Sequence, residues 1–278
     1  MRPKKKNMSN SASKGTALIT GASRGIGVVY ADRLAKRGYD LVLVARSEAP
    51  LKVLAERLSS ATGRSIAPIV ADLNDKADLV KVETELRDDP SITMLVNNAG
   101  IASVAPLLDA DIEKMEAMIA LNITALTRLT YAAAPAFVRR GAGTIINIAS
   151  VAGISPERLN GVYGATKAYV LALSHSLQHE LADKGIRVQA VLPGATATDL
   201  WEIAGLPWQK LPPSIVMSTE DMVDAALVGL DQGELVTIPS LHEVDEWNRF
   251  EAARRAISEK FGNSRPAPRY QIPMRRSA

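Results

Sequence analysis

The chain has 278 residues, of which 47% are hydrophobic and 23% charged, so it can build one large domain or two small ones. It has no cysteine, which excludes disulfides, thiolate chemistry and cysteine-ligated metal sites. The net charge of +3 comes from the two ends of the chain, which hold nine of the 33 basic residues and none of the 30 acidic ones.

Residues 1–14 are predicted to form a basic, disordered N-terminal tail, and residues 263–278 a Pro/Arg-rich C-terminal tail. The first residues lack the apolar segment of a secretory signal, and no apolar run reaches the ~18 residues that span a bilayer. Basic tails could touch nucleic acid or anionic lipid, but neither tail has interleaved aromatic residues or helical amphipathicity, which favours solvated ends. We therefore expect a cytoplasmic protein with no nucleic-acid partner and no membrane attachment.

Between the tails, short apolar runs alternate with helical patterns. The predicted strands cover residues 16–20, 40–46, 65–73, 92–100, 143–150, 186–194 and 234–240. The predicted helices cover residues 26–38, 49–63, 75–89, 109–141, 163–185, 219–233 and 243–261. The strands are nearly continuous apolar runs, as expected when helices cover both faces of a sheet. Strict alternation predicts an α/β fold: a doubly wound, parallel, seven-stranded sheet in a single domain, residues 15–262.

The first strand meets the first helix through the glycine-rich stretch TGASRGIG, with glycines at positions 21, 25 and 27. Free N–H groups at a helix N-terminus favour a pyrophosphate, and glycine lets the backbone approach it closely. This stretch therefore predicts dinucleotide binding. The alternative is a tight turn between strand and helix that holds no ligand.

The end of the second strand, VARSE, distinguishes between nicotinamide cofactors. Ala45 stands where an NAD-binding sheet carries an acid for the ribose 2′-hydroxyl, and Arg46 and Ser47 follow it. Together with Arg24 they suit a 2′-phosphate, because guanidinium groups bind phosphate in bidentate fashion. We expect NADP(H) to be preferred over NAD(H). Two alternatives remain: Arg46 is only a surface charge, or Glu48 binds the ribose.

Tyr163 and Lys167 are separated by four residues, which places them on one face of a helix. A nearby ammonium favours the phenolate and lowers the pKa of a tyrosine. Lowering that pKa from about 10 to about 7 requires about 4 kcal/mol, which one exposed pair does not supply. A desolvated pocket and a second positive charge are therefore expected. Alternatively, Tyr163 covers apolar surface while Lys167 solvates its rim.

Five motifs occur in order: TGASRGIG, NNAG at 97–100, Ser150, YGATK at 163–167 and Pro-Gly at 193–194. Together they resemble the short-chain dehydrogenase/reductase superfamily, in its short single-domain branch with a Rossmann fold. The resemblance covers about residues 15–262 and implies a catalytic tetrad of Ser150, Tyr163, Lys167 and Asn122. It implies cofactor contacts from Gly21, Ser23, Arg24, Gly25, Ile26, Gly27, Arg46, Ser47, Asp72, Leu73, Asn98, Ala99, Gly100, Tyr163, Lys167, Pro193, Gly194, Thr196 and Thr198.

The resemblance also implies individual roles. Asp72 matches a position that contacts adenine, and Asn97 one that steadies the central sheet and the cofactor. Thr198 matches the residue that reaches the carboxamide, although Thr196 is also available. Asn122 is expected to hold a water that passes protons to Lys167. Two alternatives are simpler: Ser150 merely ends a strand, and Asn122 satisfies a break in the backbone hydrogen bonding.

The expected activity is NADPH-dependent reduction of a hydrophobic ketone or aldehyde to an alcohol by hydride transfer. Tyr163 would donate the proton, and Ser150 would bond the same oxygen. The substrate walls are expected from the segments after NNAG and between Ser150 and Tyr163, and from an apolar lid at about 195–217. A non-catalytic NADPH-binding sensor or scaffold of the same fold is the alternative.

Two further expectations concern assembly and metals. The helices that hold Asn122 and Tyr163 resemble those that pack between subunits in this superfamily, so we expect a homodimer or homotetramer. His175 and His179 stand four residues apart, a spacing that can bind a metal, but no third ligand is evident locally. We therefore expect no metal site and interpret these histidines as surface or interface residues.

Overall fold

A computed structural model describes residues 13–159 and 161–271. Residues 1–12 of the predicted N-terminal tail and residues 272–278 of the predicted C-terminal tail lie outside this range. Seven strands form the sheet: β1 (Thr16–Thr20), β2 (Asp40–Ala45), β3 (Ile66–Val70), β4 (Ile92–Asn97), β5 (Gly143–Ile148), β6 (Ile186–Val191) and β7 (Val236–Thr237). Each lies within a run that the sequence predicts to be a strand.

The strands pair in parallel in the order β3-β2-β1-β4-β5-β6-β7, which confirms the predicted doubly wound sheet. Strand order reverses between β1 and β4, because β2 and β3 extend to one side and the later strands to the other. In such sheets a ligand binds beyond the carboxyl ends of the strands, at this reversal. The fold therefore places the candidate site at the turns that follow β1 and β4.

The helices, in chain order, are α1 (Gly25–Lys36), α2 (Glu48–Thr62), α3 (Lys76–Asp88), α4 (Ile112–Ile119), α5 (Leu126–Arg140), α6 (Gly161–Leu181), α7 (Leu200–Ile203), α8 (Thr219–Gln232) and α9 (Val244–Ser258). Local signals in the sequence set several helix ends. The carboxylate of Asp75 accepts hydrogen bonds from the N–H groups of Ala77 and Asp78 and caps α3. Gly63 ends α2 with a φ of 69°, a conformation that glycine adopts without steric cost.

Two hydrophobic cores lie on opposite faces of the sheet. Neighbouring residues of β1 illustrate the division, because Ile19 packs with α1, α2 and α8, whereas Leu18 packs with α3, α5 and α6. Helices therefore cover both faces, as the sequence predicts. The edge strand β3 differs from the expectation of strands buried on both faces, since Pro68 and its neighbour Ala67 are exposed.

The long helix predicted over 109–141 consists of three parts. α4 and α5 are joined by a π-helical segment, Ala120–Ala125, which contains Asn122. The run Ile112–Arg140 is long and apolar enough to cross a membrane by length and composition, with 44% of its most apolar window buried. Leu129, Ala133 and Phe137 of α5 pack in a core, and a core helix of this kind meets the same criteria. The cytoplasmic location remains a prediction.

The chain divides into two compact units, one that ends at Ser240 and one that begins at Leu241. The first unit holds all seven strands and the candidate site. In the second unit, α9 lies within the last predicted helix, and a short 3-10 turn, Pro268–Tyr270, follows it.

Candidate active site

The glycine-rich turn packs so closely that side chains are excluded. A methyl group on Gly27 would lie 2.3 Å from the carbonyl oxygen of Gly21 and 2.8 Å from Nδ2 of Asn98. α1 begins at Gly25, and the residue before it, Arg24, makes no side-chain cap. The first N–H groups of α1 therefore face the loop without a protein cap, beside backbone that a pyrophosphate can approach. These features fit the phosphates of a dinucleotide.

The turn after β4 is attached to the turn after β1. The hydroxyl of Thr20 accepts hydrogen bonds from the N–H groups of Asn98 and Ala99, at 3.0 and 2.9 Å. Nδ2 of Asn98 donates to the carbonyl oxygens of Thr20 and Gly21, at 2.8 and 3.2 Å. The NNAG and TGASRGIG motifs, about 75 residues apart in sequence, thus form one rigid rim. Sequence reasoning missed Thr20, whose only signal is a hydroxyl at the end of β1.

Two cationic side chains lie near the carboxyl ends of β1 and β2, where they can bind a ligand. Arg24 and Arg46 are exposed, and within residues 13–159 and 161–271 neither guanidinium makes a hydrogen bond or an ion pair. Ser47 is the N-cap of α2, yet its hydroxyl does not cap the helix. Glu48, the alternative ribose ligand, pairs with Lys52 at 2.6 Å on the exposed face of α2. Both arginines and Ser47 therefore remain available for a 2′-phosphate.

The turn after β3 is ordered by its own carboxylates. Asp72 accepts a hydrogen bond from the N–H of Asn74 at 3.0 Å, and its own N–H donates to Asp78 at 2.8 Å. Leu73, the other cofactor residue expected here, is buried in the core. The turn holds Asp72 half-buried beyond the strand end, where the resemblance predicts the adenine contact.

Ser150 and Tyr163 meet after β5. Both residues are buried, and their side chains are hydrogen-bonded to each other. The hydroxyl of Ser150 also accepts from the N–H of Ala152 at 3.1 Å and lies 3.4 Å from the carbonyl oxygen of Pro193. Contacts from three segments therefore fix the serine next to the phenol.

Lys167 is buried one helical turn beyond Tyr163. Its Nζ donates to the carbonyl oxygen of Ile148 at 2.8 Å and lies 5.8 Å from the centre of the Tyr163 ring. Burial lowers the pKa of Lys167 to about 8, because a charged ammonium loses its hydration there. The rim position considered for Lys167 is therefore wrong.

The pKa of Tyr163 shifts in the direction opposite to the expected one. Burial raises the pKa of Tyr163, and the hydrogen bond with Ser150 offsets this only in part. The sequence predicts a lowered pKa for Tyr163 in a desolvated pocket. Desolvation acts in the opposite direction, because a phenolate that is moved out of water loses its hydration. In this state the phenol therefore keeps its proton.

Asn122 joins the π-helical segment to the turn after β4. Its Oδ1 accepts from the N–H of Ile101 at 3.0 Å, and its Nδ2 donates to the Ile101 carbonyl and to Oγ1 of Thr166, at 2.9 and 3.0 Å. The side chain therefore satisfies backbone groups of Ile101 and not a break within its own segment. Gly100 leaves room for this contact, since a methyl group there would lie 3.1 Å from Oδ1 of Asn122.

Asn97 lies in a buried chain of polar side chains beneath the site. Its Nδ2 donates to Thr130 at 3.1 Å and to Asn147 at 2.9 Å, and Nδ2 of Asn147 donates to Ser174 at 3.0 Å. The chain ties β4 and β5 to α5 and α6, which agrees with the steadying role implied for Asn97. Sequence reasoning missed Thr130, Asn147 and Ser174, because none of them belongs to a motif.

The predicted lid is closed at its base. Thr196 and Met217 form a parallel β-bridge, and backbone hydrogen bonds join Met217 to Ala195 and Ala197 at 2.9 Å. Thr196 is buried, with its hydroxyl donating to the carbonyl oxygen of Gly194 at 3.2 Å. Thr198 instead lies against the glycine-rich turn, where a methyl group on Gly25 would be 3.2 Å from it. This placement favours Thr198 over Thr196 as the residue that faces the cofactor.

A half-open cavity of about 380 Å³ lies where the three expected substrate segments meet, and Leu107 on its wall is 84% exposed. Residues 104–107 come from the segment after NNAG, Leu159 and Gly161 from the segment before Tyr163, and Leu206 from the lid. The N–H of Val104 donates to the carbonyl oxygen of Ala204 at 3.2 Å, which attaches the lid to the first segment. Among the residues that the structure describes, the lining side chains are uncharged and mostly apolar, which favours an apolar substituent here.

Among the residues that the structure describes, no group of three or more histidine, cysteine or acidic side chains could hold a metal ion. His175 lies partly buried and His179 exposed on α6.

Comparison with known proteins agrees with this geometry. The family model described as short chain dehydrogenase matches residues 15–205. A short-chain dehydrogenase from Sphingobium yanoikuyae, solved in complex with NADPH, is 49% identical, with 92% of this chain and 99% of that chain covered and a TM-score of 0.90. The bulky-bulky ketone specific alcohol dehydrogenase from Comamonas testosteroni is 45% identical, with 94% and 100% covered and a TM-score of 0.87. The very-long-chain 3-oxoacyl-CoA reductase of Anas platyrhynchos is 36% identical over 71% of this chain and 64% of that protein.

Proposed function

The chain belongs to the short-chain dehydrogenase family and is an NAD(P)-dependent oxidoreductase, and from that premise we propose that it reduces an apolar ketone to a secondary alcohol with NADPH. One observation carries the proposal: a buried phenol, Tyr163, is hydrogen-bonded to Ser150 inside an apolar cluster, and Leu159, which packs against that cluster, also lines the cavity. The similarity to a ketone-specific alcohol dehydrogenase supports the same chemistry.

The cofactor site is proposed from this chain's own residues. The turn at Gly21–Gly27 would hold the pyrophosphate, and Arg24, Arg46 and Ser47 the 2′-phosphate. The similarity to a dehydrogenase solved with NADPH supports this assignment. When bound, NADPH supplies a hydride to the carbonyl carbon and is oxidised to NADP⁺ as the ketone is reduced.

The protein supplies the proton and the orientation. Tyr163 gives its proton to the carbonyl oxygen, and the hydroxyl of Ser150 bonds that oxygen as negative charge develops. The raised pKa of Tyr163 suits this direction, because the phenol must be protonated to act as donor. Lys167, one helical turn away, then stabilises the phenolate until solvent returns the proton. Overall, ketone, NADPH and one proton become alcohol and NADP⁺.

The test is oxidation of NADPH by the purified protein with a panel of apolar ketones, followed by absorbance. Tyr163→Phe should abolish turnover while NADPH still raises the melting temperature by nearly the wild-type amount. Tyr169→Phe is the matched control, because Tyr169 lies on the same helix but its hydroxyl bonds Thr127 on the exposed face. Retention of most of the activity in Tyr163→Phe would remove Tyr163 from the mechanism.

The same experiment distinguishes the non-catalytic alternative. A sensor or scaffold would bind NADPH and show a thermal shift, but it would oxidise no NADPH with any ketone of the panel. The buried contact between Ser150 and Tyr163 argues for the enzyme, because binding of a nucleotide needs no buried phenol.

A further inference from the structure

Gly164 of α6 lies directly against Pro156, in the segment that follows Ser150. A methyl group on Gly164 would lie 2.7 Å from Cβ and 2.8 Å from Cα of Pro156. Neither atom can move aside by rotation of a side chain, so the added carbon would displace the backbone of the segment. The φ of Gly164 is not positive, and alanine is the better helix former. Close packing is therefore the structural reason for a glycine at this position.

A second contact of this kind attaches the same segment to the next turn of α6. A methyl group on Gly153 would lie 2.9 Å from the carbonyl oxygen of Lys167 and 3.0 Å from the backbone nitrogen of Ala168. Here the glycine belongs to the segment and the facing atoms belong to the helix. Because the two backbones touch at both points, the segment cannot absorb a displacement by moving closer to the helix.

Residues 150–156 are also connected to one another by backbone hydrogen bonds. The N–H of Gly153 donates to the carbonyl oxygen of Ser150 at 2.9 Å. The N–H of Ser155 donates to the carbonyl oxygen of Val151 at 3.0 Å. A displacement at the end of this segment is therefore transmitted to the serine at its beginning.

The helix side of the contact carries the proposed proton donor. Tyr163 immediately precedes Gly164 in α6, and the side chains of Tyr163 and Ser150 are hydrogen-bonded to each other. The separation between the segment and the helix therefore sets how closely the serine hydroxyl approaches the phenol.

We propose that Gly164 is a positioning residue: it admits Pro156 against the backbone of α6, and this contact holds the Ser150 hydroxyl at the Tyr163 phenol. Gly164 acts through Ser150 and not on the reacting atoms. Because ketone reduction is itself proposed, the inference rests on it for the kinetic readout. The contact between Ser150 and Tyr163 can also be observed without turnover.

Gly164→Ala tests this role with the smallest added group. The methyl group should displace Pro156 and, with it, Ser150. We expect kcat for an apolar ketone to fall by about 10-fold to 100-fold, since a displacement of about 1 Å can cost that much. The thermal shift caused by NADPH should stay at the wild-type value, because the glycine-rich turn is unchanged.

The pH profile of kcat distinguishes positioning from a loss of stability. The hydrogen bond with Ser150 lowers the pKa of Tyr163, so a broken contact should raise that pKa. Reduction needs the protonated phenol, so kcat falls as the pH rises through this pKa, and the fall should begin at a higher pH in Gly164→Ala. Lys167, whose Nζ lies 5.8 Å from the ring, is the same in both proteins. A variant that is only less stable would keep the wild-type profile.

A rescue and a matched control make the result specific. Adding Pro156→Gly to Gly164→Ala removes the nearest contacting atom and should restore part of kcat, whereas Pro156→Gly alone should not raise it. Gly161→Ala makes the same substitution at the start of the same helix. Within the described part of the chain, a methyl group there meets no heavy atom within 4 Å, so kcat and its pH profile should not change.

The outcomes separate this inference from the proposed function. A wild-type kcat and pH profile in Gly164→Ala, a Gly164→Ala protein that does not fold, or a lack of rescue by Pro156→Gly would each overturn the positioning role and leave ketone reduction in place. If the wild-type protein reduces no ketone, the proposed function fails, and crystal structures of the wild type and Gly164→Ala decide the inference. Oγ of Ser150 and Oη of Tyr163 should lie within hydrogen-bonding distance in the wild type alone, and equal distances would overturn the role of Gly164.

Discussion

The amide of Asn122 binds both backbone polar groups of Ile101. The N–H of Ile101 donates to Oδ1 at 3.0 Å, and Nδ2 donates to the carbonyl oxygen of Ile101 at 2.9 Å. Nδ2 also donates to Thr166, the residue before Lys167. A single buried side chain thus connects the start of the substrate wall to the helix that carries the proton donor.

Replacing Asn122 by aspartate should remove the hydrogen bonds that Nδ2 donates and keep the one that Oδ1 accepts. A carboxylate still accepts from the N–H of Ile101, but it cannot donate to the carbonyl oxygen, and it places a charge in a site that is 2% exposed. We expect the free energy of unfolding to fall by about 2 kcal/mol or more, and kcat for an apolar ketone of the panel to fall with it. Urea denaturation and steady-state kinetics measure both.

The matched control for that change is Asn263→Asp. Asn263 is exposed, and its Nδ2 donates to the carbonyl oxygen of Lys260 at 2.7 Å. The same substitution there should change stability by less than about 0.5 kcal/mol. A stable, active Asn122→Asp variant would show that the carbonyl oxygen of Ile101 does not need a hydrogen bond from the side chain of residue 122.

The sequence predicted the site because motif and topology agree. Once β-α alternation implies a parallel sheet, the residues that follow β1, β4 and β5 must gather at one edge. Ser150 and Tyr163 meet there, and Asn98 meets Gly21, as the order of the motifs implied.

The features of the site that the sequence does not predict depend on hydrogen bonds between distant segments. The sequence places Asn122 in a mostly helical stretch, and the apolar periodicity does not show that the backbone hydrogen bonds around it shift to the π pattern. Thr130 and Ser174 were missed because their partners, Asn97 and Asn147, come from other elements. The raised pKa of Tyr163 follows from a depth of burial that no local pattern records.

The sequence predicts the lid only in part. Its apolar, irregular composition indicated a cover for the substrate, and Leu206 does line the cavity. Trp208, however, lies in a short 3-10 turn and does not line that cavity. Composition therefore predicts that a lid exists, whereas the side chains that reach the cavity depend on where the backbone is attached, here at Val104 and Met217.

Lys167 should destabilise the fold near neutral pH. Its pKa falls from 10.5 in the unfolded chain to about 8 in the folded protein, so burying the ammonium costs about 3 kcal/mol below pH about 8. As the pH rises from about 8 toward 10.5, the folded state releases this proton before the unfolded state does, and the cost shrinks. Stability should therefore rise with pH in this window.

Urea denaturation at about pH 7 and about pH 9.5 measures this linkage. The wild-type free energy of unfolding should gain about 2 kcal/mol from Lys167 between these values. Lys167→Met should lack this gain, whereas Lys184→Met, on the exposed end of the same segment, should retain it. Equal pH dependence in the wild type and Lys167→Met would show that Lys167 is hydrated or paired in solution.

Arg46 should determine the choice between cofactors. Arg46→Asp replaces an exposed cation by a carboxylate that repels a 2′-phosphate and can bond a ribose hydroxyl. The ratio of kcat/KM for NADPH to that for NADH should fall by about 10-fold to 100-fold, the range expected for a hydrogen bond to a charged group. Arg57→Asp, an exposed position on α2, should leave the ratio unchanged. An unaltered ratio in Arg46→Asp would overturn the assignment.

Self-association should involve the faces of α5 and α6. Thr127 and Tyr169 join these helices by a hydrogen bond of 2.9 Å on their exposed side, and Tyr131, one turn beyond Thr127, is 69% exposed. We expect a homodimer or homotetramer by light scattering at micromolar concentration, and a smaller species for Tyr131→Lys. Val53→Lys, which changes a residue 65% exposed on α2, is the control. A wild-type monomer would contradict the prediction.

The hydroxyl of Tyr30 should lower the stability of the fold. It is fully buried in α1, and its hydroxyl finds no hydrogen-bond partner among the described residues, while burial raises the pKa of the phenol. Because an unpaired buried hydroxyl costs about 1–3 kcal/mol, Tyr30→Phe should raise the free energy of unfolding by about 1 kcal/mol. Tyr39→Phe, at a half-buried position, should be neutral. A Tyr30→Phe variant that is less stable than the wild type would contradict the prediction and would indicate a hydrogen-bond partner for the hydroxyl, such as an internal water.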